Sequence, residues 1–318
     1  MKVLLLSVLC TFSALAAKEQ PVRELSTQAV TFANSIVPLF RRGFVVTFPP
    51  GPARGDHPRI SSIKYGFSVY AADGNFAFSK SIEVPEGSQP VVRDVDFDTD
   101  GSVVVAATAL GGPSGFLMGI LLLDRTGRQT GFINTGRYFP ASVAIASDHS
   151  IWTLGSQMAA DHPPYPDRQD YMIIRHYSAD GKELKACLPR SSFPAGLEPG
   201  SSGPGVGIEV THDRVGIFAY SGETGVNAEW IELDLDGNLL WRSRVDGVIR
   251  GVALAAITED DHVYLEGYNG EVYTLDSVSH AWRPIPKHEG TFMGVDGKNL
   301  VYRQRNSGPI QLRWFNEP

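Results

Sequence analysis

The chain has 318 residues, of which 42% are apolar and 20% charged, a composition that excludes an intrinsically disordered protein. Its formal net charge is −7, and its longest run of basic residues is Arg41-Arg42. We therefore predict no nucleic-acid partner, because phosphate binding requires a positive surface. The 33 glycines and 21 prolines indicate many turns between short strands.

The first 17 residues have the three-part pattern of a secretory signal peptide. Lys2 precedes an uncharged run from 3 to 17, which ends in small residues with Ala14 and Ala16 two positions apart. The run is shorter than the roughly 20 apolar residues of a transmembrane helix. We therefore expect cleavage after Ala16 or Ala17, no transmembrane span in the mature protein, and a secreted or periplasmic location.

We divide the chain into the signal peptide at 1–17, an amino-terminal segment at 18–42 and a repeat domain at 43–318. After cleavage, Cys187 is the one remaining cysteine, which excludes an intrachain disulfide. It lies in an apparent strand, 184–188, so we expect its thiol to be buried and unreactive. An exported chain without disulfides favours a bacterial periplasm or exterior.

A turn built on Asp-Gly or a similar pair recurs through the domain. Its glycines are Gly74, Gly127, Gly181 and Gly237, 53 to 56 residues apart, and 275–279 is a degraded fifth copy. Each turn joins two strand-like segments. The second segments are 76–84, 129–134, 183–188, 239–245 and 281–285. The pattern predicts a series of β-hairpins.

A second type of hairpin alternates with the first. The segment 95–103 matches 143–151 without a gap, and three others follow the same plan with small shifts: 208–215, 257–263 and 293–300. Apolar alternation, a polar turn and a β-branched run are typical of a hairpin. Two hairpins per repeat give four antiparallel strands, which is the blade of a β-propeller.

The predicted fold is therefore all-β, a six-bladed β-propeller of four-stranded antiparallel blades. The predicted blades are 43–85, 86–138, 139–188, 189–245, 246–286 and 287–318. The last blade has only three visible strands, ending with 310–315, so we expect an amino-terminal strand near 28–32 to close the ring. A β-sandwich is the alternative, but it does not require matched hairpins at a fixed period.

The segment from Pro90 to Ala106 resembles the inner hairpin of six-bladed propellers of the NHL-repeat and TolB-like kind. The segment from Phe139 to Thr153 is similar to a weaker second copy. The resemblance implies the fold over nearly the whole mature chain. It implies no functional residue, because this fold hosts scaffolds, ligand binders, lactonases and other hydrolases.

The two faces of the predicted propeller differ in loop length. Turns within hairpins lie on one face and are short, at 72–74, 99–101, 147–149, 179–181, 212–214, 235–237 and 259–262. Links between hairpins and between blades lie on the other face and include 49–58, 110–115, 157–170, 189–205 and 221–227. We expect the binding site on this loop-rich face, since rigid scaffolds usually carry binding groups on long loops.

The residues that open the innermost strands are the candidate site, because they approach the central channel on the loop-rich face. They are Arg93, Asp94, Tyr138, Phe139, Arg250, His288 and Glu289. Arginine, histidine and aromatic side chains could bind an anionic or sugar-like ligand through hydrogen bonds and stacking. Contact between neighbouring blades is the structural alternative for each of them.

The favoured function is the binding of a small molecule, a glycan or a protein without turnover and without a cofactor. The alternative is a hydrolase or lactonase whose divalent metal lies in the channel, held by Asp94, with Glu289 or His288 as base. A scaffold is the third hypothesis, and it would expose a large apolar patch. The sequence has no G-x-S-x-G, H-E-x-x-H or phosphate-loop motif, so no sequence motif indicates catalysis.

One acidic motif resembles the start of a calcium-binding loop. Asp96, Asp98 and Asp100 alternate before Gly101, but the twelfth position is Ala107 instead of glutamate. An acidic hairpin turn is the preferred interpretation. Three histidines recur at predicted inner turns, where we expect them to be exposed: His149, His212 and His262.

Overall fold

The computed structural model describes most of the predicted repeat domain and a short amino-terminal segment. The described residues are 22–24, 39–48, 66–82, 89–110, 117–157, 171–192, 197–199, 207–221, 227–246, 252–258, 260–267, 270–304 and 310–316. The predicted signal peptide and Arg250 lie outside these ranges. Within them, the chain forms no helix with the length and apolar character that crossing a bilayer would require.

In the described residues, 25 strands form six antiparallel sheets, which are the blades of a β-propeller. Blade 1 contains β2 (Leu39–Arg41), β3 (Phe44–Thr47), β4 (Gly66–Ala71) and β5 (Phe76–Ser81). Blade 2 contains β6 (Gln89–Phe97), β7 (Val103–Leu110), β8 (Leu117–Leu123) and β9 (Gln129–Asn134). Blade 3 contains β10 (Tyr138–Ile145), β11 (Ile151–Gln157), β12 (Met172–Tyr177) and β13 (Glu183–Pro189).

The remaining three blades follow the same antiparallel order. Blade 4 contains β14 (Leu197–Pro199), β15 (Ile208–Val210), β16 (Arg214–Ser221), β17 (Asn227–Asp234) and β18 (Leu239–Asp246). Blade 5 contains β19 (Val252–Ile257), β20 (Val263–Gly267), β21 (Val272–Leu275) and β22 (Trp282–Pro284). Blade 6 contains β23 (Thr291–Asp296), β24 (Asn299–Arg303), β25 (Gln311–Asn316) and β1 (Val22–Glu24). The predicted six-bladed architecture is confirmed.

An amino-terminal strand closes the ring, but it lies earlier in the chain than expected. The strand β1 pairs with β25 in blade 6, whereas the segment 28–32 lies outside the described residues. The Arg23 guanidinium lies 4.6 Å above the Trp314 ring and donates to the carbonyl oxygen of Ala72 in blade 1 at 2.9 Å. Arg23 therefore links the last blade to the first. Blade 1 also begins at Leu39, four residues before the predicted boundary at 43.

Strand order separates short turns from longer connections. Because the strands of a blade alternate in direction, the turns within the inner and outer hairpins all lie on one rim of the ring. The inner turns of this short-turn rim include 42–43, 98–102, 146–150, 211–213 and 297–298. The loops of the opposite rim fall largely outside the described residues.

Neighbouring blades interlock through the glycines of the outer turns. Each glycine has positive φ, and a Cβ atom there would lie 2.4 to 2.8 Å from a side chain on the outermost strand of the preceding blade. The pairs are Gly127 with Phe78, Gly181 with Ile133, and Gly237 with Cys187. The repeated glycine thus serves both the turn and the packing between blades.

Cys187 is buried in the contact between blades 3 and 4, as predicted. Burial raises the pKa of its thiol to about 11. Since the thiolate is the reactive form, this cysteine is protonated and unreactive near neutral pH.

Candidate functional site

The innermost strands of the blades are edge strands, so their unpaired backbone groups face the central channel. Between blades 2 and 3, carboxylates accept hydrogen bonds from these backbone groups. Asp94 accepts a hydrogen bond from the backbone N–H of Val143 at 3.1 Å, and Asp96 accepts one from the N–H of Ile145 at 2.8 Å. The Ser142 hydroxyl also donates to Asp94. These bonds join the two inner strands, β6 and β10, at the channel.

Arg41, the last residue of β2, crosses the channel beside these carboxylates. Its Nη1 lies 3.2 Å from the carbonyl oxygen of Val95 and 3.2 Å from that of Val143. Its Nη2 donates to Oε1 of Glu209 at 3.0 Å. One side chain of blade 1 therefore contacts blades 2, 3 and 4.

Three carboxylates surround the Arg41 guanidinium. Besides Glu209, Asp94 lies 3.6 Å and Asp96 lies 3.8 Å from Nη1. Burial lowers the pKa of Arg41, but the three negative charges outweigh burial and leave that pKa raised. Burial also raises the pKa of Asp94, although Arg41 acts in the opposite direction. The positive charge of Arg41 is thus what makes these buried carboxylates tolerable.

Arg42 adds a second guanidinium toward the short-turn rim. Its Nη2 donates to the carbonyl oxygen of Ile145, lies 3.3 Å from that of Val210, and lies 3.8 Å from the Asp96 carboxylate. We call the five charged residues together the channel cluster: Arg41, Arg42, Asp94, Asp96 and Glu209. With two cations and three anions, its formal charge is −1 when every group is ionised.

Glu209 is the most exposed of the three carboxylates in the channel cluster. Its side chain is 19% exposed, and its Oε2 has no hydrogen-bond partner among the described residues. Burial raises its pKa to about 7, against the opposing effect of Arg41, and Asp96 and Asp94 raise it further. Glu209 therefore changes its protonation near neutral pH, in contact with the channel.

A cavity of about 510 Å³ opens beside the channel cluster at the short-turn rim. Glu209, Arg41 and Arg42 form one side of it, and the residues from Leu254 to Thr258 in blade 5 form another. Its volume falls in the range of roughly 300–1,000 Å³ that is typical of small-molecule pockets. The cavity thus joins a charged wall to the inner edge of a blade.

An ion pair lies at the rim of this cavity. The Nδ1 atom of His149 contacts the Asp98 carboxylate, joining the inner turns of blades 3 and 2. This hydrogen bond and the charge of Asp98 raise the pKa of His149. The Asp98 and Asp96 side chains both bond to blade 3, which supports a hairpin with cross-blade contacts over a calcium loop.

A second rim cluster has the spacing of a cation site. His212, Asp213 and Asp261 place their ligand atoms within 4.8 Å of one another. Arg214 lies among them, with Nε 3.1 Å from Asp213 and Nη2 3.9 Å from Asp261. The hydrogen bond from Arg214 lowers the pKa of Asp213. Arg214 offsets only one of the two negative charges and also bonds to Glu232 at 3.1 Å. A divalent metal in the channel stays a prediction.

Of the candidate residues from the sequence, Asp94 belongs to the channel cluster. Arg93 is half-buried on a β-bulge of β6, where its guanidinium lies 4.5 Å above the Phe139 ring. Burial lowers the pKa of Arg93. Arg93 and Phe139 therefore contact each other between blades 2 and 3.

The other candidate residues do not meet at the described cavity. Tyr138 is buried, with its hydroxyl 2.8 Å from the Ile173 carbonyl oxygen, so it belongs to the core of blade 3. His288 packs against Phe315 with ring centroids 4.1 Å apart. Glu289 is exposed just before β23. The placement of Arg250 lies outside the described residues.

Sequence analysis missed Arg41, Arg42 and Glu209. The only signal for the arginines was their pairing, which drew attention solely as the longest basic run. Glu209 lies in a strand of three residues, where a charged residue between Ile208 and Val210 is an ordinary alternation. The channel cluster emerges only when blades 1, 2 and 4 are placed around one axis.

Comparisons with known proteins add the following findings. No protein-family model and no curated protein matches the chain. Among solved structures, the chain is similar to a protein of unknown function from Bacteroides caccae, with 12% sequence identity and a TM-score of 0.47. The match covers 76% of this chain and 80% of that one. The function must therefore be inferred from the channel itself.

Proposed function

We propose that this protein is an exported propeller of the NHL-repeat or TolB-like kind that binds a small polar ligand in its central cavity. The main observation behind the proposal is the position of the Glu209 carboxyl group at the cavity. A carboxyl group with a free oxygen and a pKa of about 7 faces a cavity of ligand size. Polar groups that converge in such a cavity, with a perturbed pKa among them, favour a binding site.

Export is supported by the sequence pattern at 1–17. The inner hairpin from Pro90 to Ala106 supports the NHL-repeat or TolB-like kind. The sequence also predicts a small-molecule, glycan or protein ligand on the loop-rich face. This prediction is separate from the cavity, which opens on the short-turn rim.

Hydrolysis is the second candidate, because a carboxyl group with a pKa of about 7 suits a proton acceptor at neutral pH. A metal at Asp94 would have to displace the hydrogen bonds from Ser142 and Val143. The metal-dependent version therefore has less support than a reaction at Glu209. Turnover of an ester or lactone that is lost in Glu209→Gln, with binding retained, would favour this candidate.

The test of the binding proposal is a thermal-shift screen of the mature protein with amino acids, short peptides, sugars, amines and organic anions. A ligand that binds only the folded state raises the melting temperature. Ser147 is an exposed inner-turn residue that lines the cavity, so Ser147→Trp is designed to cover its mouth. Ala179 is exposed at the matching position of the outer turn of the same blade, which makes Ala179→Trp the control.

We expect at least one compound whose thermal shift is lost in Ser147→Trp and kept in Ala179→Trp. Its affinity should also fall in Glu209→Gln. A screen in which no compound behaves in this way contradicts binding in the cavity.

A further inference from the structure

We propose that the cavity binds the free amino terminus of a short peptide, with the peptide main chain paired to the inner edge of β19 and its ammonium group beside Glu209. This inference rests on the proposed function and names its ligand class. Three features support it: the backbone groups of β19, the small residues around them, and the charge of the channel cluster.

Strand register shows which backbone groups of β19 face the channel. Ala255 holds the same ladder position as Val143 of β10, two residues before the end of the strand. The backbone of Val143 faces the channel, where its N–H bonds to Asp94 and its carbonyl oxygen bonds to Arg41. Because antiparallel ladders alternate, the backbone groups of Ala255 and Ile257 also point into the channel.

The edges of β10 and β19 differ in what they contact. Carboxylate and guanidinium groups bond to β10, whereas no side chain of the described residues bonds to the backbone from Leu254 to Ile257. Glu209 holds the position in blade 4 that Asp96 holds in blade 2, but it bonds to Arg41 instead of to the next blade. An extended peptide supplies donors and acceptors at the spacing that such an edge requires.

The residues Ala255 and Ala256 of this edge lie at the wall of the cavity and have short side chains, and Ala255 is 2% exposed. On the far side, a Cβ atom at Gly294 would lie 2.3 Å from the carbonyl oxygen of Phe40, so β23 packs closely against β2. Blade 1 thus covers the inner edge of blade 6, while β19 lines the open cavity.

Charge selects the end of the peptide. The channel cluster carries a formal charge of −1 when every group is ionised, and Oε2 of Glu209 accepts no hydrogen bond from the described residues. The other ionisable side chains that line the cavity are His212 and Asp296, and Asp296 accepts a hydrogen bond from Nε1 of Trp314 at 2.7 Å. An ammonium group balances this charge, whereas a carboxylate would add to it.

The first experiment measures the affinity of trialanine by isothermal titration calorimetry. About three residues match the stretch of β19 that lines the cavity, at about 3.3 Å per residue. We expect acetylation of the peptide amino group to weaken binding about tenfold or more, because a charged hydrogen bond is lost. Glu209→Gln should weaken trialanine by a similar factor and leave the acetylated peptide unchanged.

The pH dependence follows from the same contact. Burial raises the pKa of Glu209 to about 7, and a peptide amino group loses its proton only near about pH 8, so trialanine should bind more tightly at about pH 7.5 than at about pH 5.5. The acetylated peptide has no ammonium group, so its affinity should stay nearly constant over this range. Equal pH dependence of the two peptides would contradict the contact with Glu209.

The backbone contact has its own test. Ala255→Pro removes one channel-facing N–H and keeps the ladder to β20, so it should weaken both the free and the acetylated peptide. Because proline can disturb the strand, trialanine methylated at either peptide nitrogen provides a measurement on the unaltered protein. We expect at least one methylated peptide to bind about tenfold more weakly or worse. Unchanged affinity of both methylated peptides would exclude strand pairing.

Failure of this inference can be distinguished from failure of the proposed function. If sugars, anions or simple amines bind and Ser147→Trp blocks them, but trialanine does not bind, the peptide inference is wrong and the cavity remains a binding site. If trialanine binds Ser147→Trp and Ala179→Trp equally, the peptide binds outside the cavity and the inference is wrong. If no compound is blocked by Ser147→Trp, both proposals are wrong.

Discussion

Charged side chains replace missing strand neighbours along the inner edge of this ring. Asp94, Asp96 and Asp98 point to the same side of blade 2, and each contacts blade 3. The first two bond to backbone N–H groups, and Asp98 contacts the His149 ring at the rim. An alternating run of aspartates thus acts as a set of cross-blade contacts.

The Asp98 contact predicts a titration shift at His149. In Asp98→Asn the hydrogen bond to a charged carboxylate is lost, so the pKa of His149 should fall toward its ordinary value of about 6.5. In the wild type, a raised histidine pKa means that the contact stabilises the fold at low pH and that this contribution is lost as pH rises through the folded-state pKa. NMR titration of the His149 imidazole measures the shift.

The matched control for this titration is Asp124→Asn, which removes a half-buried carboxylate in the outer turn of blade 2. It should leave the His149 titration unchanged. If Asp98→Asn also leaves it unchanged, the rim contact does not exist in solution.

At the level of strands and turns, the hairpins share one turn geometry, in which one turn residue has a positive φ, but the residue type at that position differs. The inner turns place Gly101, His149 and Asp261 there, all with positive φ. In the outer turns of blades 2, 3 and 4 this position is filled by Gly127, Gly181 and Gly237, whose missing Cβ also lets the preceding blade approach. The longer outer turn of blade 5 places His280 at positive φ instead.

Alanine substitutions at two glycines separate backbone strain from packing. Gly127 and Gly136 both have positive φ, but a Cβ atom at Gly127 would lie 2.4 Å from the Phe78 ring, whereas one at Gly136 meets nothing within 4 Å. Gly136→Ala should cost about 1 kcal/mol of unfolding free energy from strain alone. Gly127→Ala should cost about 2–4 kcal/mol, because overpacking adds to strain. Equal losses in urea unfolding would contradict the interlock.

The repeated hairpins could be predicted from the sequence because each is encoded within about a dozen residues of alternation and turn chemistry. The closing strand could not be placed in the same way. Val22–Glu24 has three residues, two of them charged, and its position depends on β25 near the other end of the chain. The sequence indicated that blade 6 needs a fourth strand, and the pairing of β1 with β25 shows which segment supplies it.

Over the whole molecule, the ring brings distant charges to one point. Arg41 and Glu209 are 168 positions apart and come from opposite sides of a six-membered ring. Asp94 could be selected from the sequence because it was expected to open an inner strand, although β6 begins at Gln89. Its cation could not, since no local pattern relates the last residue of β2 to three other blades. The site is thus a product of closure around the axis.

This dependence on closure makes Arg41 the residue whose loss should affect the whole ring. Arg41→Met removes the cation from three buried carboxylates, and leaving a buried charge unpaired costs about 3–5 kcal/mol. Carboxylates whose folded-state pKa is raised destabilise the fold as pH rises above their unfolded-state pKa. The loss in Arg41→Met should therefore be larger at about pH 8 than at about pH 5, as measured by urea unfolding.

Arg128→Met is the control for Arg41→Met, because it removes an arginine from an exposed ion pair. Arg128 pairs with Asp124 at 3.2 Å, but its side chain is 80% exposed, so its loss should cost less than about 1 kcal/mol at either pH. If Arg41→Met were no more costly than Arg128→Met, the carboxylates would be solvated without Arg41. The channel would then be open to water along the axis, and the charged wall of the cavity would not be held in place by the blades around it.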